Sequence, residues 1–355
     1  MSRSLCAHHP DIGDARIGGL RLVARRVGRI LQRLVRPAVM GLLAAAGGAA
    51  PLQAVIFHAT GDPNHNTTPP TGALAGSGWQ WVGAWGNMQG TPIGPRHFLA
   101  ARHVGGAIGG TFVFSGVSYT TTAFFDDAAS DLRIWEVSGT FPTWASIYRG
   151  SSEVGQSLVV FGRGLPRGEE VRNGANELRG WKWGASDGRL RWGTNAIHAV
   201  VNGGATWGSL LYALFNATGG PNEAHLAQDD SSGPVFIQDG AAWKLAGVAA
   251  VVDAYFNTTN TGDGFNAAIF DRRGLYYGSA GNWNLISGGS PVASGFYATR
   301  VSVRSAWIDS IVPPVDPPPS PPSPTPVPAL STAWSLVLAV MVAVTSWVAM
   351  ERKIV

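Results

Sequence analysis

A single cysteine, Cys6, stands in the 355 residues, and it falls in an arginine-rich N-terminal segment. The body of the chain therefore has no disulfide, and its stability must come from a packed core. Charge is scarce as well: 14% of residues are Asp, Glu, Lys or Arg, against roughly 25% in an average soluble protein. The charge that exists is badly placed for nucleic acid. Eight arginines precede residue 38, whereas residues 55–312 hold 16 Lys and Arg against 18 Asp and Glu. No basic stripe remains to track phosphates, which argues against a nucleic-acid partner. Long apolar stretches of helical period are also missing from the body. Short apolar runs broken by Gly, Asn, Ser and Pro take their place, the pattern of an all-β protein.

Both ends read as export signals. "RPAVMGLLAAAGGAAPLQAVIF" (36–57) has a basic start, a short apolar run and small residues up to Ala54. The run is too short to span a bilayer, so residues 1–54 are expected to be a signal peptide with a long basic n-region, cut between Ala54 and Val55. At the other end, 313–330 is a Pro-rich linker that should be extended and semi-rigid. Residues 331–350 are apolar enough to cross a membrane, and 351–355 form a basic tail that would stay cytoplasmic.

Three segments of the body carry candidate chemistry. In "RHFLAARHVGG" (96–106) an apolar run ends at Ala101, and His103 follows where the chain should leave a strand. In "SDLRIWEV" (130–137) alternation predicts a strand with Asp131 at its first position. In "LAQDDSSGPVF" (226–236) Ser231 precedes Ser232-Gly233-Pro234 and then an apolar run. A nucleophilic serine needs such a tight turn to present its Oγ and to gather backbone N–H groups around the attacked carbonyl.

Together these segments resemble the trypsin/chymotrypsin-like serine peptidases. The family's Ala-Ala-His motif corresponds to Ala101-Arg102-His103. Its Asp-Ile-Ala-Leu motif corresponds to Asp131-Leu132-Arg133-Ile134, and its Gly-Asp-Ser-Gly-Gly-Pro motif to Asp229-Asp230-Ser231-Ser232-Gly233-Pro234. The order His, Asp, Ser is the family's own. "VVFGRG" (159–164), "WKLAGVAAVV" (243–252) and "GFYATRVSVRSAWIDSIV" (295–312) are similar to later strands and the terminal helix of that fold.

The resemblance implies two six-stranded antiparallel β-barrels and a short C-terminal helix, the first barrel over about 55–150 and the second over about 151–312. It implies a triad of His103, Asp131 and Ser231, with the N–H groups of Asp229 and Ser231 as the oxyanion hole. It further implies that Asp230 pairs with a freed N-terminus at Val55, and that no cofactor is used. Counting back from Ser231 puts His225 at the floor of the primary pocket, and Ala250, Val251 and Val252 on the strand edge that takes up substrate. A His floor gives no support to Arg or Lys specificity and would suit an acidic or polar side chain.

Asp229 departs from the family, which has Gly there, and Ser232 is a second departure. A carboxylate beside a developing oxyanion opens the alternative of an impaired homologue serving as a surface binding protein. Segment 253–294 is longer than the family's usual connection, and forms either a wall of the cleft or a partner surface. His58, Asp62 and His65 lack defined metal-ligand spacing and read as mobile N-terminal residues. The C-terminal pattern Val327-Pro328-x-Leu330-Ser331, then an apolar helix and a basic end, resembles PEP-CTERM and IPTL-CTERM sorting signals, which implies processing by an exosortase-like enzyme. The expected partners are thus a protein or peptide substrate and the membrane.

Overall fold

The computed structural model describes residues 55–316. The expected signal peptide, most of the Pro-rich linker, the apolar segment 331–350 and the basic tail lie outside the described residues. Among the described residues no helix is long and apolar enough to cross a membrane.

Twelve strands close into two antiparallel barrels of six. The first comprises β1 (Gly83–Trp85), β2 (Met88–Gly94), β3 (His97–Ala101), β4 (Thr111–Phe114), β5 (Val117–Asp126) and β6 (Leu132–Val137). They follow one another around the barrel as β1-β2-β3-β6-β5-β4. The second comprises β7 (Ser157–Gly162), β8 (Arg191–Asn202), β9 (Ser209–Leu214), β10 (Pro234–Asp239), β11 (Ala242–Val252) and β12 (Gly295–Arg300), in the order β8-β9-β12-β11-β10-β7. A short helix, α1 (Ser305–Ile311), follows β12. This is the chymotrypsin-like fold expected from the sequence.

The unbroken apolar runs in several strands have a geometric cause. Side chains alternate across a strand, and here both faces are covered. On β3, Phe98 and Ala100 enter the core of the first barrel, while Leu99 and Ala101 join a separate cluster between the barrels. On β6, Trp135 faces the first core and Ile134 the shared cluster. The second barrel mirrors this on β7: Leu158 and Val160 fill its core, while Val159 and Phe161 meet the first barrel. Burying each Leu, Val, Ile or Phe among them stabilises the fold by about 1.5–3 kcal/mol, so the shared cluster fixes one barrel against the other without a disulfide.

The two ends of the described body cross over. Ile56 and Phe57 pair with His225 and Ala224 on the second barrel, so residues 55–57 belong with that barrel and not with the first, as the sequence division had them. The helix α1 returns to the first barrel. Ile308 and Val312 pack in the shared cluster with Ile93 of β2, and just before α1, Arg304 forms a two-pronged ion pair with Asp127 (2.6 Å on each arm). Burial acts to push the Asp127 carboxyl up, but Arg304, Ser130 and the Ala129 N–H together hold it below its ordinary value.

Segment 253–294 adds strands to the second barrel's flank. Ala267–Ile269 completes a three-stranded sheet with Arg167–Arg172 and Leu178–Trp183. Phe256–Asn257, Tyr276–Ser279 and Asn282–Leu285 form a second small sheet.

Candidate active site

His103 sits on a 3₁₀ turn, Arg102–Val104, at the end of β3. Asp131 stands one residue before β6, and the β3–β6 ladder holds the two together: the Arg102 N–H donates to the Asp131 carbonyl (2.8 Å). The Asp131 side chain, 2% exposed, grips His103 twice. Its Oδ1 accepts the His103 backbone N–H at 2.9 Å, and its Oδ2 lies 2.5 Å from Nδ1. A carboxylate offers only acceptors, so the ring proton belongs on Nδ1 and the Nε2 lone pair is free. Ser231 Oγ lies 2.9 Å from Nε2 and can donate to it. The structure thus brings His103, Asp131 and Ser231 into one hydrogen-bonded chain across the cleft between the barrels.

The turn that carries Ser231 is held by its own backbone. The N–H groups of Asp230 and Gly233 donate to the carbonyls of Ala227 (3.2 Å) and Asp230 (3.0 Å), and that of Ser232 to Ala249 (2.8 Å). Among the described residues, no group accepts from the N–H of Asp229 or of Ser231. Those are the two donors expected to meet an oxyanion. Asp229 has φ +69°, a left-handed value that Asp tolerates better than most residues, so its backbone takes up the shape that Gly would supply. Its half-buried carboxylate makes no ion pair among the described residues.

Asp230 is fully buried, with Oδ1 accepting from Gly164 N–H and Oδ2 from Ala227 N–H, both at 2.8 Å. Burial pushes its carboxyl up to about 7 despite these two bonds. Val55 is buried next to it. Gly162 packs so tightly here that a Cβ would collide with Asp230 Oδ1 and touch Val55 Cγ2 at 3.0 Å. Val55 also has φ +56°, which a β-branched residue rarely adopts.

Beside Ser231 lies a cavity of about 330 Å³. Ala250, Val251 and Val252 line it, as expected, together with Trp183, Leu226, Tyr255 and Asn266. His225 does not. It pairs with Ile56 and is wholly buried, its Nδ1 2.5 Å from the Leu226 carbonyl and its Nε2 3.3 Å from Ser294 Oγ. Phe215 and Phe296 stand edge-on to its ring, and burial lowers its pKa to about 4. His225 ends a two-residue strand, Ala224–His225, and is wholly enclosed, while Leu226, just past that strand, packs in the second barrel's core and also borders the pocket. The lining is mostly apolar, with Gln228, Asn266 and the backbone-held Asp230 as its polar members besides Ser231, and the suitability for acidic or polar side chains expected from a His225 floor is withdrawn. Tyr255 places the long 253–294 segment on the pocket wall.

Trp207 was not singled out by the sequence. Its ring meets the His103 imidazole edge-on at 5.4 Å, from the end of a single helical turn, Gly204–Trp207, between β8 and β9. Gly208 (φ +72°) lets this turn approach, since a Cβ there would fall 2.7 Å from the Ala129 carbonyl oxygen. A tryptophan between glycines in a turn was the one available signal, and it is a weak one. His58, Asp62 and His65 do not converge on a metal site. His58 packs against Trp181 and Phe270, whereas His65 bonds Asn222 at 2.9 Å.

No protein-family model matches the chain, and no curated protein matches it.

Proposed function

We propose that this chain is an exported serine endopeptidase that hydrolyses peptide bonds through an acyl-enzyme. The observation that carries the reading is the hydrogen-bonded chain from Asp131 through His103 to Ser231, with the uncommitted N–H groups of Asp229 and Ser231 on the same turn. His103 Nε2 takes the Ser231 proton as Oγ attacks the carbonyl carbon. The two N–H groups stabilise the oxygen that becomes negative, and Asp131 stabilises the imidazolium. The same proton then passes to the leaving amine. Water repeats the sequence on the acyl ester and restores Ser231. The C-terminal segment 331–350 would hold the enzyme at the cell envelope until or unless a sorting enzyme cuts it.

A fluorophosphonate probe tests the reading on the purified protein, since it reacts only with an activated serine. Labelling is expected in the natural protein, to persist at a reduced rate in Ser232→Ala and to vanish in Ser231→Ala. An unlabelled natural protein with His103 and Ser231 in place would overturn the peptidase and favour the binding-protein alternative, with the Asp229 carboxylate as the cause.

The pocket adds a preference. Its lining offers no unpaired acid for a basic side chain, because both oxygens of Asp230 are held by backbone N–H groups. Burying an unpaired charge there is costly, so cleavage is expected after apolar or aromatic residues over Arg, Lys, Asp or Glu by about a hundredfold or more in kcat/KM. Sequencing the products of a mixed peptide library reads this directly, and a basic or acidic preference would refute it.

A further inference from the structure

Ser232 follows the candidate nucleophile and has φ +69°, a backbone value that is unfavourable for serine and free for glycine. It is also 1% exposed. A buried serine in that conformation calls for a reason, and its hydroxyl supplies one. Oγ accepts the Ala101 backbone N–H at 2.9 Å, across the boundary between the barrels.

The Ala101 N–H needs that partner. Alternate N–H groups of β3 point toward β6, and Arg102 donates that way, to Asp131. Ala101 therefore faces the opposite side, toward β2. There the paired register runs only as far as Thr91–Leu99, two residues short of Ala101. The two strands part at this point, and the turn carrying Ser231 docks in the gap. Gln89 of β2 meets the same turn from the other side. With its carboxamide oriented to satisfy both ends, its nitrogen donates to the Ser231 carbonyl (3.3 Å) and its oxygen accepts the Arg163 N–H (3.0 Å).

We infer that Ser232 is a positioning residue: its hydroxyl ties the serine-bearing turn of the second barrel to the end of β3, two residues before His103, and so sets the distance between nucleophile and base. The inference rests on the peptidase reading. Only Arg102 lies between Ala101 and His103, and one peptide bond joins Ser232 to Ser231, so slack at this bridge passes straight into the Oγ–Nε2 separation.

Two variants of the full chain test it. Ser232→Gly removes the hydroxyl and relieves the backbone, whereas Ser232→Ala removes the hydroxyl and keeps the Cβ. Each is expected to lower kcat by roughly 10- to 100-fold, the scale of a misplaced reacting group, with KM within about twofold. Residue-resolved hydrogen exchange should show the Ala101 amide losing protection in both, while the barrel strands keep theirs. A kcat within twofold of the natural protein in Ser232→Gly, or an Ala101 amide that stays protected, would overturn the bridge. A rise in KM with kcat unchanged would reassign Ser232 to substrate binding. If the natural protein itself fails to label at Ser231, the peptidase reading has failed. Unaltered exchange at Ala101 marks failure of the bridge alone.

Discussion

Asp131→Asn is expected to lower kcat by roughly 10⁴-fold at neutral pH while leaving the fold intact. The loss follows from the hydrogen-bond inventory at His103. Asp131 accepts from both the backbone N–H and the ring Nδ1 of His103. An asparagine can keep one of these acceptor roles but must place its NH₂ near the other. If that NH₂ faces Nδ1, the ring proton moves to Nε2, and Nε2 can no longer accept from Ser231. The nucleophile then loses its base although every heavy atom stays in place. Steady-state kinetics on a peptide ending in an apolar residue measures the effect, and circular dichroism verifies the fold. A loss under tenfold would mean that His103 does not depend on this carboxylate for its tautomer.

Residues left in front of Val55 are expected to depress activity by about a thousandfold or more, because they deny Asp230 its counter-charge and loosen a turn that supplies two oxyanion donors, each worth roughly 10²–10³ in rate. In the uncut chain Asp230 is buried with no ion pair among the described residues, and although Arg191 acts to pull its carboxyl down from a distance, burial pushes it from 3.8 up to about 7. The folded state then binds that proton more tightly than the unfolded chain does. The resulting stability is fully present below about pH 4 and is lost as the pH rises through 7. A free Val55 ammonium beside Asp230 reverses the sign: the carboxyl is pulled down, and its contribution holds at neutral and higher pH. Cutting before Val55 also removes the peptide group that gives this β-branched residue its left-handed φ. Comparing a protein that starts at Val55 with one that retains Ala54 and a few residues before it, in activity and in melting temperature between pH 5 and 8, checks both halves. Equal activity in the two forms would sink the pairing, as would parallel pH profiles.

The order of His103, Asp131 and Ser231, and the strand character around each, were legible because a strand that ends in a turn leaves a local pattern. The two-barrel architecture followed from the resemblance, and the doubly buried strands follow from it in turn. Their continuous apolar runs cannot be told from buried helix by period alone. The pocket was read less well. His225 was placed by counting residues, and a count along the chain does not say which side chains the pairing with Ile56 encloses, so the expected floor is a buried imidazole and its neighbour Leu226 borders the pocket instead. Trp207 and the Ser232 bridge were out of reach because both are contacts between segments more than a hundred residues apart and in different barrels. Nothing within "TWGS" or "SSGP" encodes the partner. The glycine-to-serine change at position 232 read as a mild departure, and only the positive φ and the Ala101 bond give it a role.

The crossed ends of the 55–312 body bear on how the molecule comes apart. Residues 55–57 strap the second barrel and α1 straps the first. Neither barrel is therefore a separable module: a gene fragment encoding one alone would leave an apolar seat bare and carry a strap with nothing to bind. Unfolding should proceed as one cooperative event. In evolutionary terms the unit that can be duplicated, exchanged or fused is the whole 55–312 body and not half of it.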